Sequence, residues 1–210
     1  MTLRLNGSNS GFTEVKAPAT AGSNTITLPT SNGSANQYLK NGSTAGTLEF
    51  GSLPTSYQTQ LSTSVATTSG SAVDFTIPSW AQRITVMTLD TSVATSANQF
   101  VQIGSGGTPA TSGYLWYGAY AGAGQAGINS TTSFSAAGNS TGNLENTKWV
   151  IQKFTGNTWS AFLVGGIRSS SNYYGVAAAG HIALSGTLDI VRFGTSTSFD
   201  NGSVNIFVEG

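Results

Sequence analysis

The sequence predicts an all-β fold, a jelly-roll-like β-sandwich preceded by a short β segment. Three observations predict it. Apolar residues recur at period two, as they do along half-buried strands. Gly, Asn and Ser cluster between those runs, where chain reversals need them. No stretch carries a sustained helical apolar stripe, and the best, Pro54 to Ser64, is long enough for a turn or two at most.

Residues 1–54 hold the shortest strands: Leu3 to Leu5, Phe12 to Lys16, Thr25 to Leu28, Tyr38 to Lys40 and Leu48 to Phe50. Asn6-Gly7, Asn32-Gly33 and Asn41-Gly42 are strong turn signals between or beside them. Each strand offers two or three large apolar side chains, too few for an independent core. Intertwining with two identical copies would supply the missing burial, so this segment is expected to be a trimerising stalk and the chain a homotrimer. Residues 55–71, rich in Ser, Thr and Ala, read as a linker.

Residues 72–210 carry the sandwich. Val73, Phe75 and Ile77 alternate with Asp74 and Thr76, and Ile84, Val86 and Thr88 alternate with Thr85, Met87 and Leu89. Val101 and Ile103 precede the turn Gly104-Ser105-Gly106-Gly107. Later strands run from Ile151 to Phe154, Trp159 to Val164, Ile182 to Leu184, Leu188 to Phe193 and Val204 to Val208. Gly156-Asn157 and Asn201-Gly202 are read as turns between them. Many short strands at regular spacing imply a sandwich or barrel. Trp80, after Pro78 at a strand end, is expected to plug the base of the sandwich.

Composition narrows the function. The 210 residues include only 8 Lys and Arg and 8 Asp and Glu, 8% charged in all, against roughly a quarter in ordinary soluble domains. No basic patch exists to neutralise phosphates, so a nucleic-acid partner is not expected. Zero net charge removes self-repulsion and eases association. Without cysteine there is no disulfide, thiolate nucleophile or thiolate metal ligand. Neither a secretory signal nor a run of about eighteen apolar residues is present, so the chain is expected to be made in a host cytoplasm, with no membrane insertion.

Several motifs mimic catalytic ones. Gly122-Ala123-Gly124-Gln125-Ala126-Gly127 matches a dinucleotide fingerprint, but Ile128 to Thr132 is no helix start, so a Gly-rich loop is the better reading. Gly138-Asn139-Ser140-Thr141-Gly142 matches a nucleophile elbow with Glu145 and His181 following in hydrolase order. That elbow needs a strand-to-helix turn, and the sequence offers no helix. Asp189 and Asp200 could meet as a glycosidase pair, although Asp189 fits better as a partner of Arg192 or a turn cap. One histidine without neighbouring carboxylates does not assemble a zinc site. No catalytic, cofactor or metal residues are therefore assigned.

The aromatics are more informative. A strand through Tyr114-Leu115-Trp116-Tyr117-Gly118-Ala119-Tyr120 places Tyr114, Trp116 and Tyr120 on one face, with Leu115 and Tyr117 on the other. Tyr173 and Tyr174 fall in a Ser/Asn/Gly-rich stretch read as a loop. Tyr114, Trp116, Tyr120, Tyr173 and Tyr174 are the candidate surface-recognition residues, suited to a glycan or protein surface. The competing reading packs these rings in the core or against another copy.

Two stretches carry a resemblance. Leu3-Arg4-Leu5-Asn6-Gly7-Ser8 with Val15 to Gly22 and Thr25-Ile26-Thr27-Leu28-Pro29 resembles a short β-repeat of tailed-bacteriophage fibre proteins. Ile77 to Met87, with Val101 to Gly104, Ser185 to Asp189 and Phe199 to Ile206, is similar to a C-terminal knob module of phage tail-fibre-like proteins. The resemblance implies a virion structural protein that meets other tail, fibre or capsid proteins and contributes to attachment at a host-surface glycan or protein. It implies no catalytic residues. The alternative is a capsid decoration protein, a cement or head fibre, without a receptor role.

Overall fold

The computed structural model describes residues 3–20, 22–35, 37–52, 58–121, 126–136, 140–170 and 172–210. Among them the fold is all-β, with no helix. The chain divides into two compact units, Met1–Thr55 and Ser56–Gly210.

The first unit holds two hairpins. Strands β1 (Leu3–Asn6) and β2 (Phe12–Val15) pair antiparallel, as do β3 (Gln37–Asn41) and β4 (Leu48–Ser52). Of the expected strand from Thr25 to Leu28, only Thr27 pairs, in one bridge to Thr47. Leu3 faces Val15 and Leu5 faces Thr13, making one apolar hairpin face; the other carries Arg4, whose guanidinium sits 3.9 Å over the Phe12 ring and bonds Glu14. Leu3, Leu5, Phe12, Val15, Ile26, Leu28, Leu39 and Phe50 are all exposed, so this unit has strands without a core.

The second unit is a sandwich. Strands β5 (Thr59–Leu61), β6 (Val65–Ala66), β7 (Ala72–Thr76), β8 (Arg83–Val93), β9 (Gln99–Ser105) and β10 (Thr108–Pro109) come first. Then follow β11 (Leu115–Ala121), β12 (Ala126–Ser130), β13 (Phe134–Ser135) and β14 (Leu144–Thr155). The chain ends with β15 (Thr158–Ser169), β16 (Asn172–Ala183), β17 (Ile190–Thr195) and β18 (Phe199–Glu209). The larger sheet runs β12-β11-β16-β15-β14-β8-β18-β5, with β6 also on β18; the smaller runs β10-β9-β17-β7, with β13 also on β9. The larger sheet is curled, and the arrangement is compatible with a jelly roll.

Two sequence expectations change here. Within the expected linker, Thr59–Leu61 and Val65–Ala66 are strands that pair with β18 and satisfy its outer backbone groups. Asn201-Gly202, for its part, does not end a strand. It lies within β18, where the register to β8 slips, and Gly202 adopts φ 93°.

The core lies between the sheets. Phe75, Val101, Ile103, Val191 and Phe193 from the smaller sheet meet Ile84, Val86, Trp149, Ile151, Trp159 and Leu163 from the larger. Trp149 and Phe193 make an edge contact with centroids 5.8 Å apart, and Phe193 stacks on Phe199 at 5.1 Å. Trp80 is half-buried against this core. Because Phe193 joins the two sheets, Phe193→Ala is expected to cost about 3–5 kcal/mol through lost burial and a residual cavity. A urea midpoint unchanged from the parent would contradict that central position.

Candidate functional site

The alternation along β11 decides where its aromatics go. Tyr114, just before it, and Trp116 point inward and are 1% and 2% exposed. Both pack on Phe134, with centroids 4.8 and 5.1 Å away. Trp116 Nε1 donates to the Ser135 carbonyl at 2.8 Å. The Tyr114 hydroxyl accepts from Ile103 N at 2.9 Å and donates to the Ile103 carbonyl at 3.1 Å. Burial raises the Tyr114 hydroxyl well above its ordinary pKa. These two residues are therefore core anchors and not a recognition platform. The sequence reading had the strand parity correct, but the larger rings took the buried side because they exclude more apolar area from water.

Tyr120 is half-buried on the same face and meets Tyr174 edge-on at 6.0 Å. Tyr173 and Tyr174 lie in β16, opposite Arg168 and Ile167 of β15, and not in a loop. Tyr173 points outward, 75% exposed. Of the five candidates it is the one fully available to a ligand.

The outward face of β11, β16 and β15 holds the apolar surface that the sequence reading missed. Register places Tyr117, Ala179 and Phe162 in one row, and Ala119, Ala177 and Val164 in the next. Tyr117 is 67% and Phe162 48% exposed; Leu115 and Val164 are exposed as well. Beside this face, Tyr117, Phe154, Thr158, Ser160, Gly180 and His181 line an open cleft of about 410 Å³.

The catalytic look-alikes are dispersed. His181 is on the outward face of β16, whereas Glu145 is fully buried on the inward face of β14. Gly138 and Asn139 of the elbow motif, and residues 122–125 of the dinucleotide motif, lie outside the described residues. Asp189 does not pair with Arg192. Both its carboxylate oxygens accept from Gly107 N at 3.1 Å, capping that turn, while Arg192 bonds Asp74 twice at 2.7 Å. Asp200, on β18 of the larger sheet, accepts from the Ser92 hydroxyl of neighbouring β8, whereas Asp189 lies just before β17 of the smaller sheet, so the two acids do not face one another as a pair. Among the described residues no three His, Asp or Glu side chains cluster to hold a metal.

Glu145 stands apart. Neither carboxylate oxygen has a hydrogen-bond partner among the described residues, and burial pushes its pKa up to about 8. It sits at the end of an inward polar strip in which Thr88 bonds Thr147 at 2.7 Å and Thr91 bonds Gln99 at 2.7 Å. The register pairs Glu145 with Thr91 and Ile167, neither of them charged. A carboxyl in such surroundings keeps its proton at neutral pH.

Comparison of this chain with protein-family models, with curated proteins and with solved structures finds no match in any of the three. The groups described here therefore rest on their own chemistry.

Glu145 gives a pH-dependent stability whose sign follows from linkage. Below about 4.5 the carboxyl is protonated whether folded or unfolded. Between there and about 8 the folded chain keeps a proton that the unfolded chain has released, so stability falls as pH rises, by about 4–5 kcal/mol in all. Glu145→Gln is expected to remove this slope, matching the parent near pH 4.5 and exceeding it at pH 8.5. Urea midpoints at the two pH values check it; parallel profiles for both proteins would contradict the assignment.

Proposed function

We propose that the chain is a non-enzymatic structural protein of a tailed-bacteriophage virion, a trimeric fibre or knob that contributes to host-surface attachment. The observation that carries this reading is the first unit: two hairpins whose large apolar side chains are exposed, Leu48 alone among the described ones being half-buried. An isolated two-stranded hairpin is at best marginally stable in water, and these two share no core. Their apolar faces call for cover from outside the unit, and identical copies supply it at matching positions. The phage-fibre resemblance of Leu3 to Pro29 supports the same role.

Attachment has narrower support. Tyr173 offers an exposed ring with a polar tip on a rigid strand, among Asn172 and other small residues. Repetition of that ring in each copy of an oligomer would multiply weak contacts into useful avidity. The second reading, capsid decoration without a receptor role, draws on the apolar face around Phe162, which would then rest on a capsid lattice.

Light scattering on the full chain is expected to give three chain masses, and a monomeric mass would overturn the oligomer. Leu5→Asp, on the apolar face of the first hairpin, is expected to lower the oligomeric mass while leaving the near-ultraviolet signal of the second unit intact. Particles carrying Tyr173→Ala are expected to adsorb to cells less well, with the oligomer unchanged; full adsorption would remove Tyr173 from the attachment surface.

A further inference from the structure

Strand β14 ends in a bulge between Lys153 and Thr155, where its register to β15 slips. Phe154 sits in that bulge and is 77% exposed, more than any other large hydrophobic side chain among the described residues. Bulges often re-aim a side chain in this way beside a site. Diagonally across the outward face stands the exposed ring of Tyr117 on β11, three strand spacings or about 14 Å from β14. Between them Thr158 and Ser160 of β15, with Gly180 and His181 of β16, complete the cleft of about 410 Å³. Pockets for small ligands run from roughly 300 to 1,000 Å³, and this one falls at the small end.

The cleft is aromatic at its ends and polar but neutral along its floor. Ser160 Oγ donates to the Gln152 carbonyl at 3.3 Å and keeps its lone pairs to accept. The Thr158 hydroxyl and the His181 imidazole bond to no other described residue, so both have donor and acceptor capacity to spare. No Asp, Glu, Lys or Arg lines the cleft. Charged residues near it in register are engaged, inward or distant. Arg83, in the row of Ser160 and Gln152, pairs with Glu209 at 3.5 Å, and Lys153 is opposite Trp159, on the core side. Lys148, opposite Val164, is two rows further along the face, and Arg168 is beyond it.

We propose that this cleft binds neutral sugar, taking pyranose residues of a glycan with Phe154 and Tyr117 as stacking platforms. The occupant follows from the lining. A pyranose is apolar across its C–H faces and ringed by neutral hydroxyls, so it calls for aromatic surface and uncharged hydrogen-bonding groups together. A purely apolar ligand would cover Thr158, Ser160 and His181 without giving them partners, and a charged one would meet no counter-charge. Both rings stand on strands, so binding orders little that is not already fixed. The site deepens the attachment reading above, on which it rests for the source of the glycan.

Saturation-transfer NMR on the full chain tests the cleft, with the methyl glycosides of glucose, galactose, mannose and N-acetylglucosamine as probes at millimolar concentration. At least one probe is expected to bind. Phe154→Ala and Tyr117→Ala are each expected to weaken that probe about tenfold, the loss of one stacked ring. Both positions are exposed, so each variant keeps the folded core, and Tyr173→Ala is expected to bind the probe as the parent does. Binding of none of the probes, or equal binding by Phe154→Ala and the parent, would overturn the sugar site. If a probe binds through Phe154 but Phe154→Ala particles adsorb fully to cells, the sugar site stands and its part in attachment is overturned.

Discussion

The larger sheet bends at an irregular level that three strands share, β14, β8 and β18. β8 is paired on both sides, with β14 and with β18, and both pairings slip register there. At this level Asp90 takes a left-handed conformation, φ 48°, which a non-glycine residue holds only when its surroundings require it. The surroundings are specific. Asn146 accepts from Asp90 N at 3.0 Å and donates to the Asp90 carboxylate at 2.8 Å, while Asn201 donates to the Asp90 carbonyl at 2.9 Å. On the inner side, Thr88 accepts from Thr147 N at 2.9 Å, so a backbone donor released by the slip is satisfied. Gly202 completes the arrangement, because a Cβ there would lie 2.5 Å from the Asp90 carbonyl oxygen. Bulges bend and twist the strands that carry them. Past the bend, Val93 and Phe199 remain paired and enter the core, where Phe199 stacks on Phe193 of the smaller sheet.

That bend also accounts for the polar strip inside. Thr88, Thr91, Gln99 and Thr147 lie at or near the slipped level, and their bonds to each other and to the backbone replace regular ladder bonds. Glu145 is the member whose carboxyl has no hydrogen-bond partner among the described residues, opposite Thr91 where the register is about to slip. A buried acid of this kind is tolerated only as the neutral form, which ties the stability of the bend to the proton on one side chain.

Much of the sandwich was legible because its strands alternate. Ile84 and Val86, Val101 and Ile103, and Val204, Ile206 and Val208 point to the core as their spacing requires. β16 was legible only at its end, Ile182 to Leu184. Its Gly175, Ala177, Ala178, Ala179 and Gly180 give no strand signal, because their bulky partners are on the neighbouring strands. The bend was illegible for a different reason: Asn-Gly is a turn signal in isolation, and only a partner strand at Asp90 makes it a bulge. The site suffered from the same limit. Period two separates Tyr114 and Trp116 from Leu115 and Tyr117, but it does not say which set is covered, since both are apolar. The contents of the opposite sheet settle that, and Phe134 and Ile103 are far from β11 in pattern though adjacent in space.

The two units leave apolar surface open in different ways, and the difference bears on how each becomes stable. The second unit closes a large core, so the apolar side chains on its outward face are a surplus beyond what folding needs. The first unit has no surplus: none of the large apolar side chains that its hairpins present is fully buried, and two-stranded ribbons recover little of the backbone entropy they lose. An association that covered both surfaces would therefore act unequally, adding to the stability of the second unit but conferring the stability of the first. Folding of the first unit would then depend on chain concentration, as in obligate oligomers, while the sandwich would fold in the lone chain and gain only an increment with concentration. The small neutral side chains that coat this protein suit that division. They keep the lone chain hydrated without the charge that would hold copies apart.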